Sequence, residues 1–145
     1  MGSGKKVLVV DDDRVVLKFM EKLLGREGHE VRCAQDGLEA VNLLTTFTPE
    51  IMFFDLIMPK IDGDRLIQIV RNMPHLRDCF LVIVSAAVAE MEQFTFVKTG
   101  ADYYIAKGPF DSMGENVLEA IKASDLPAQD QEAKPIRGLE HLESK

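Results

Sequence analysis

The sequence predicts an α/β domain: a parallel sheet covered on both faces by helices. Three observations carry that expectation. Five short apolar runs alternate with five segments of helical periodicity. The runs are almost wholly apolar rather than alternating, which fits strands buried on both sides. Polar residues gather at their carboxyl ends (Asp11 to Asp13, Asp55, Ser85 and Lys107), where sheets of this kind bind ligands.

The elements follow in order. Val7 to Val10 is a buried strand that stops at three aspartates. From Arg14 to Arg26, Val15, Val16, Phe19, Met20, Leu23 and Leu24 recur at three- and four-residue spacing, the signature of one apolar helix face. Asp13 suits the N-cap, and Gly25 and Gly28 end the helix. Glu30 to Ala34 reads as the second strand. Asp36, with Glu39 three residues on, opens a helix through Leu38, Val41, Leu43 and Leu44. Ile51 to Phe54 is the third strand and ends at Asp55. A loop from Met58 to Gly63 leads to a helix capped by Asp62, carried by Leu66, Ile67, Ile69 and Val70 and stopped near Pro74. Phe80 to Val84 is the most hydrophobic strand and ends at Ser85. Val88 to Thr99 is the expected fourth helix, ended by Gly100. Ala101 to Ala106 is the fifth strand, followed by Lys107-Gly108-Pro109. Ser112 and Glu115 form a second capping box that opens the fifth helix through Val117, Leu118 and Ile121.

The chain has 145 residues, the length of one domain. With 46% hydrophobic and 28% charged residues it is composed like an ordinary globular protein. The domain is expected over residues 5–123. Residues 1–4 read as a cloning remnant or disordered start, and 124–145 as the tail of a single-domain regulator or a linker toward a further output domain. Seventeen basic against 24 acidic residues give a net charge of −7, which argues against direct nucleic-acid binding. The longest apolar stretch, Cys79 to Ala89, is interrupted by Ser85 and is far short of the about 20 residues a membrane helix needs. With no secretory signal, a cytoplasmic location is expected. Cys33 and Cys79 lack metal or redox spacing and read as reduced thiols, and His29, His75 and His141 are scattered.

Asp11 and Asp12 after the first strand and Asp55 after the third should converge. Crowded carboxylates repel, and a divalent cation relieves the conflict; oxygen ligands with spare water positions suit Mg²⁺. One carboxylate can then attack phosphorus to form an acyl phosphate. A Ser hydroxyl and a Lys ammonium from strands four and five suit the phosphoryl oxygens.

These motifs, Val7-Leu-Val-Val-Asp-Asp-Asp13, Asp55-Leu-Ile-Met-Pro-Lys-Ile-Asp-Gly63, Ser85-Ala86 and Gly100-Ala-Asp-Tyr-Tyr-Ile-Ala-Lys107, resemble the receiver domain of response regulators in two-component signalling. The resemblance implies a flavodoxin-like, doubly wound fold with strand order 2-1-3-4-5. It makes Asp55 the phosphoacceptor, with Mg²⁺ held by Asp12, Asp55 and the Ile57 backbone carbonyl, and by Asp11 through water. Ser85 and Lys107 would bind the phosphoryl group, and Tyr104 would be the aromatic switch that follows Ser85. A histidine kinase or phosphotransfer protein would be the partner. The face of the fourth helix, fifth strand and last helix, where Phe94 and Phe96 cannot both point inward, would be the output or homodimer surface. That strand order puts Cys33 and Cys79 three strand spacings apart, about 14 Å, too far for a disulfide.

Three departures from the family pattern are expected to matter. Gly108 separates Lys107 from Pro109. Ile57, two residues after Asp55, and Ala87, two after Ser85, offer no side-chain hydrogen bond to an attacking water, which should lengthen the life of a phosphoryl group. Two other functions fit part of the pattern: a haloacid-dehalogenase-type phosphatase with Asp11 as nucleophile, and a receiver-like module that only binds.

Overall fold

The computed structural model describes residues 4–86, 100–126 and 136–137. The elements are β1 (Lys6–Val10), α1 (Arg14–Arg26), β2 (Glu30–Ala34), α2 (Gly37–Leu43), β3 (Ile51–Phe54), α3 (Gly63–Arg71), a 3-10 turn (Pro74–Leu76), β4 (Phe80–Ser85), β5 (Tyr103–Ala106), α4 (Phe110–Ala123) and β6 (Ile136–Arg137). All strands are parallel, in the order β2-β1-β3-β4-β5-β6.

Strand alternation divides the core into two layers. Leu8, Val10, Met52, Phe54, Leu81, Ile83 and Tyr104 pack with Leu66, Ile67 and Val70 of α3 and Ala40 of α2. Val7, Val9, Phe53, Val82, Val84, Tyr103 and Ile105 pack with Val16, Met20 and Leu24 of α1 and Val117 and Ile121 of α4. Opposite faces for Tyr103 and Tyr104 follow directly from the period of two.

Local chemistry sets the helix ends. The Asp13 carboxylate accepts from the Val15 amide at 2.9 Å, Asp36 from Glu39 at 2.8 Å and Asp62 from Arg65 at 3.0 Å. α1 closes with His29 N donating to the Leu24 carbonyl at 3.2 Å and Gly28 N to Gly25 at 3.0 Å, while Gly28 takes φ +90°.

Two expectations need correction. The described residues hold four α-helices, not five; Val88 to Thr99, the segment expected to form the fourth helix, lies outside them. The 2-1-3-4-5 order holds, but the sheet has a sixth strand, drawn from the segment read as tail. Two residues are too few to register as a strand against a 4–8-residue pattern. In addition, α4 starts at Phe110 without a side-chain cap: Pro109 stands at the N-cap, and Ser112 Oγ donates back to its carbonyl at 3.2 Å. The backbone fixed by Pro109 sets that start ahead of the Ser112–Glu115 box.

Both cysteines are free thiols, raised by burial to about 11 for Cys33 and about 12 for Cys79. Among the described residues no helix is long and apolar enough to cross a membrane.

Candidate functional site

The parallel register delivers the polar residues to one rim of the sheet. Val10 is paired with Phe54, so the next residues, Asp11 and Asp55, emerge from neighbouring strands; Asp55 N donates to the Val10 carbonyl at 3.2 Å. Ser85 ends β4 opposite Ala106, and Lys107 N donates to the Ser85 carbonyl at 3.2 Å. Asp11, Asp55 and Ser85 are the polar or charged residues buried among those described, exposed by 2%, 7% and 1%.

Lys107 ties the carboxylates together. Its Nζ lies 2.8 Å from Asp11 Oδ2 and 2.8 Å from Asp55 Oδ2. The other oxygens of the two carboxylates accept backbone amides, Asp13 N on Asp11 Oδ1 at 2.9 Å and Ile57 N on Asp55 Oδ1 at 3.2 Å. Burial holds the Asp11 carboxyl above its ordinary pKa, against the pull of Lys107. Burial alone would lower Lys107, but hydrogen bonds to Asp11 and Asp55 outweigh it and raise its pKa.

Asp12 is exposed and completes an acidic cluster: one oxygen each from Asp11, Asp12 and Asp55 lies within 4.8 Å of the others. Three carboxylates against one ammonium leave an excess of two negative charges, which a divalent cation matches. Their oxygens keep lone pairs beyond those used by Lys107 and the two amides. The donor set therefore fits a hard cation such as Mg²⁺.

The remaining expected residues are placed as follows. Tyr104 is 1% exposed and its hydroxyl donates to the Ala101 carbonyl at 3.3 Å. The Ile57 side chain is 69% exposed beside the acids. Gly108 does not keep Lys107 from the carboxylates, and a Cβ on it would meet nothing within 4 Å. Ala87 lies outside the described residues.

Two positions had no assigned role in the sequence reading. A Cβ on Gly63 would lie 2.6 Å from the Asp55 carbonyl oxygen and 2.6 Å from Leu56 Cα, and Gly63 N donates to the Leu56 carbonyl at 2.8 Å. This glycine lets the start of α3 press against the backbone carrying Asp55. The second is Asp102, whose Oδ2 accepts from Leu81 N at 2.9 Å and Arg71 at 2.8 Å. Arg71 also donates to the carbonyls of Arg77, Cys79 and Gly100, bracing α3 to the entries of β4 and β5. Asp-Gly before a helix and Gly-Ala-Asp before a strand were the available signals.

The fold has counterparts among solved structures. A family profile described as the response regulator receiver domain matches residues 7–122. The receiver domain of Francisella response regulator 1452 is 28% identical with a TM-score of 0.70, covering 84% of this chain and 100% of that one. Chemotaxis response regulator CheY4 of Vibrio cholerae is 20% identical with a TM-score of 0.73, covering 81% and 99%. A CheY-like receiver domain protein of Methanospirillum hungatei JF-1 is 24% identical with a TM-score of 0.69, covering 85% and 98%. With the profile spanning most of its length, the chain belongs to the response regulator receiver domain family of two-component signalling.

Proposed function

We propose that Asp55 accepts a phosphoryl group from the phosphohistidine of a kinase or phosphotransfer partner. The observation that carries this reading is Lys107 held 2.8 Å from both Asp55 and Asp11, with Asp12 completing the cluster. An Asp55 oxygen forms a bond to phosphorus as the P–N bond breaks. The electron pair leaves on the imidazole nitrogen, which takes up a proton. The backbone amide of Ile57 orients the carboxylate, and Lys107 shifts from bridging two acids to neutralising a phosphoryl oxygen. Asp11, Asp12, Asp55 and the Ile57 carbonyl would hold Mg²⁺, which when bound supplies charge neutralisation for the transferring group.

Ser85, buried at the end of β4, donates to the phosphoryl group, and Tyr104 follows it. That motion alters the face built on β5 and the last helix, the output surface of the module spanning residues 5–123. Exposed Val15, Ile57 and Phe110, each close in sequence to a site residue, support docking of the donor at the same rim. The test is acetyl phosphate with Mg²⁺, read by intact mass. Wild type should gain one phosphoryl group, and chelation or Asp55→Asn should abolish it. Undiminished labelling of Asp55→Asn would overturn the assignment.

A further inference from the structure

We propose that the C-terminal strand β6 is an intramolecular cover for the outer edge of β5, and that it excludes pairing of that edge with a second copy of this chain.

The two margins of the sheet are built differently. At one margin β2 carries Glu30 and Arg32, paired at 3.3 Å and both about half exposed, so charged side chains guard an open row of backbone groups. On the other side, β5 is Tyr103-Tyr104-Ile105-Ala106: buried throughout, uncharged and without proline. Such a segment has no protection of its own against edge-to-edge pairing. β6 supplies it, pairing Tyr104 with Ile136 and Ile105 with Arg137. The covering segment has the features β5 lacks, being two residues long, charged at Arg137 and preceded in sequence by Pro135.

The connection is a feasible one. Ile136 lies ten Cα–Cα steps beyond Leu126 along the chain, a reach of up to about 33–36 Å. A parallel strand following α4 repeats the strand–helix–strand crossover of β1–α1–β2, β2–α2–β3 and β3–α3–β4. Two residues of ladder make a weak contact that can be displaced. The competitor of matching chemistry is the identical β5 segment of another copy, which a two-fold axis would bring edge to edge. The contact stands apart from the phosphoacceptor reading; only its regulatory consequence rests on it, through the place of β5 in the output face.

Ile136→Pro and Arg137→Pro in the full chain test this, because one of two consecutive strand residues directs its N–H to the neighbour. Glu140→Pro serves as the control beyond the strand. Hydrogen exchange of the β5 amides should accelerate about tenfold in at least one strand variant, with β1 and β3 unchanged. The same variant should self-associate at lower concentration in sedimentation velocity than wild type or the control. Unchanged β5 exchange in both strand variants overturns the cover, and faster exchange without greater self-association overturns the competition. Neither readout measures phosphorylation, so the outcome is separate from that of the Asp55 labelling test.

Discussion

Gly63→Ala and Gly108→Ala make a matched pair, since both add one methyl group near the site. At Gly63 the new Cβ would lie 2.6 Å from the Asp55 carbonyl oxygen and from Leu56 Cα. Ordinary contact begins at 3.4 Å, so these atoms must separate by about 0.8 Å. Both are backbone atoms of the segment carrying the proposed phosphoacceptor, and neither can swing aside as a side chain would. Overpacking of this kind costs about 1–3 kcal/mol. At about 4 °C per kcal/mol for a domain of this size, Tm should fall by roughly 4–12 °C. The displacement also moves Asp55 relative to Lys107, so the initial rate of labelling by acetyl phosphate should drop at least about tenfold. Gly108→Ala meets nothing within 4 Å, and its φ is not in the left-handed region. It should leave labelling intact and leave stability unchanged or higher by up to about 1 kcal/mol. Thermal melts and labelling rates of the two variants decide the matter. A Gly63→Ala chain with wild-type Tm and labelling would refute the claim that α3 packing positions Asp55.

Other consequences follow from the same geometry. Mg²⁺ should raise the Tm of wild type in a concentration-dependent way, and Asp12→Asn should reduce that increment without abolishing folding, as read by thermal melts with and without chelator. Lys107 has a raised pKa in the folded state, so its contribution is present below its unfolded pKa, about 10.4, and lost as pH rises through the folded value. In metal-free buffer above about pH 10.4, wild type should therefore lose stability with pH more steeply than Lys107→Met in urea titrations. Ile57→Asn should shorten the life of the phosphoryl group by giving an attacking water a hydrogen-bond partner; equal decay of both chains in Mg²⁺ buffer would contradict the reading of Ile57. Arg71→Met, which strips the brace to Asp102 and three carbonyls, should cost about 1–3 kcal/mol in urea unfolding while leaving the labelling site unchanged.

How far the sequence was legible depends on the range over which each feature is determined. Asp13, Asp36 and Asp62 were readable as caps because a cap is decided within three residues. Asp11, Asp55, Ser85 and Lys107 were readable as a group because each ends a strand, and parallel strands put their ends on one rim. What Lys107 does there was not readable: its bridge between Asp11 and Asp55 depends on the packing of three strands. The same holds for Gly63, whose importance lies in two backbone atoms seven and eight residues earlier in the chain. Arg71 and Asp102 are 31 residues apart, and neither segment alone signals the other. β6 was invisible to pattern because two residues carry no periodicity.

The central claim is that Asp55, and not Asp11, takes the phosphoryl group. Borohydride reduction after labelling with acetyl phosphate and Mg²⁺ tests it most directly, since an acyl phosphate is reduced to the alcohol and converts the labelled aspartate to homoserine. Peptide sequencing by mass spectrometry should find homoserine at position 55, with Asp11 intact. Homoserine at position 11, or at neither position despite active donor and Mg²⁺, would contradict the account.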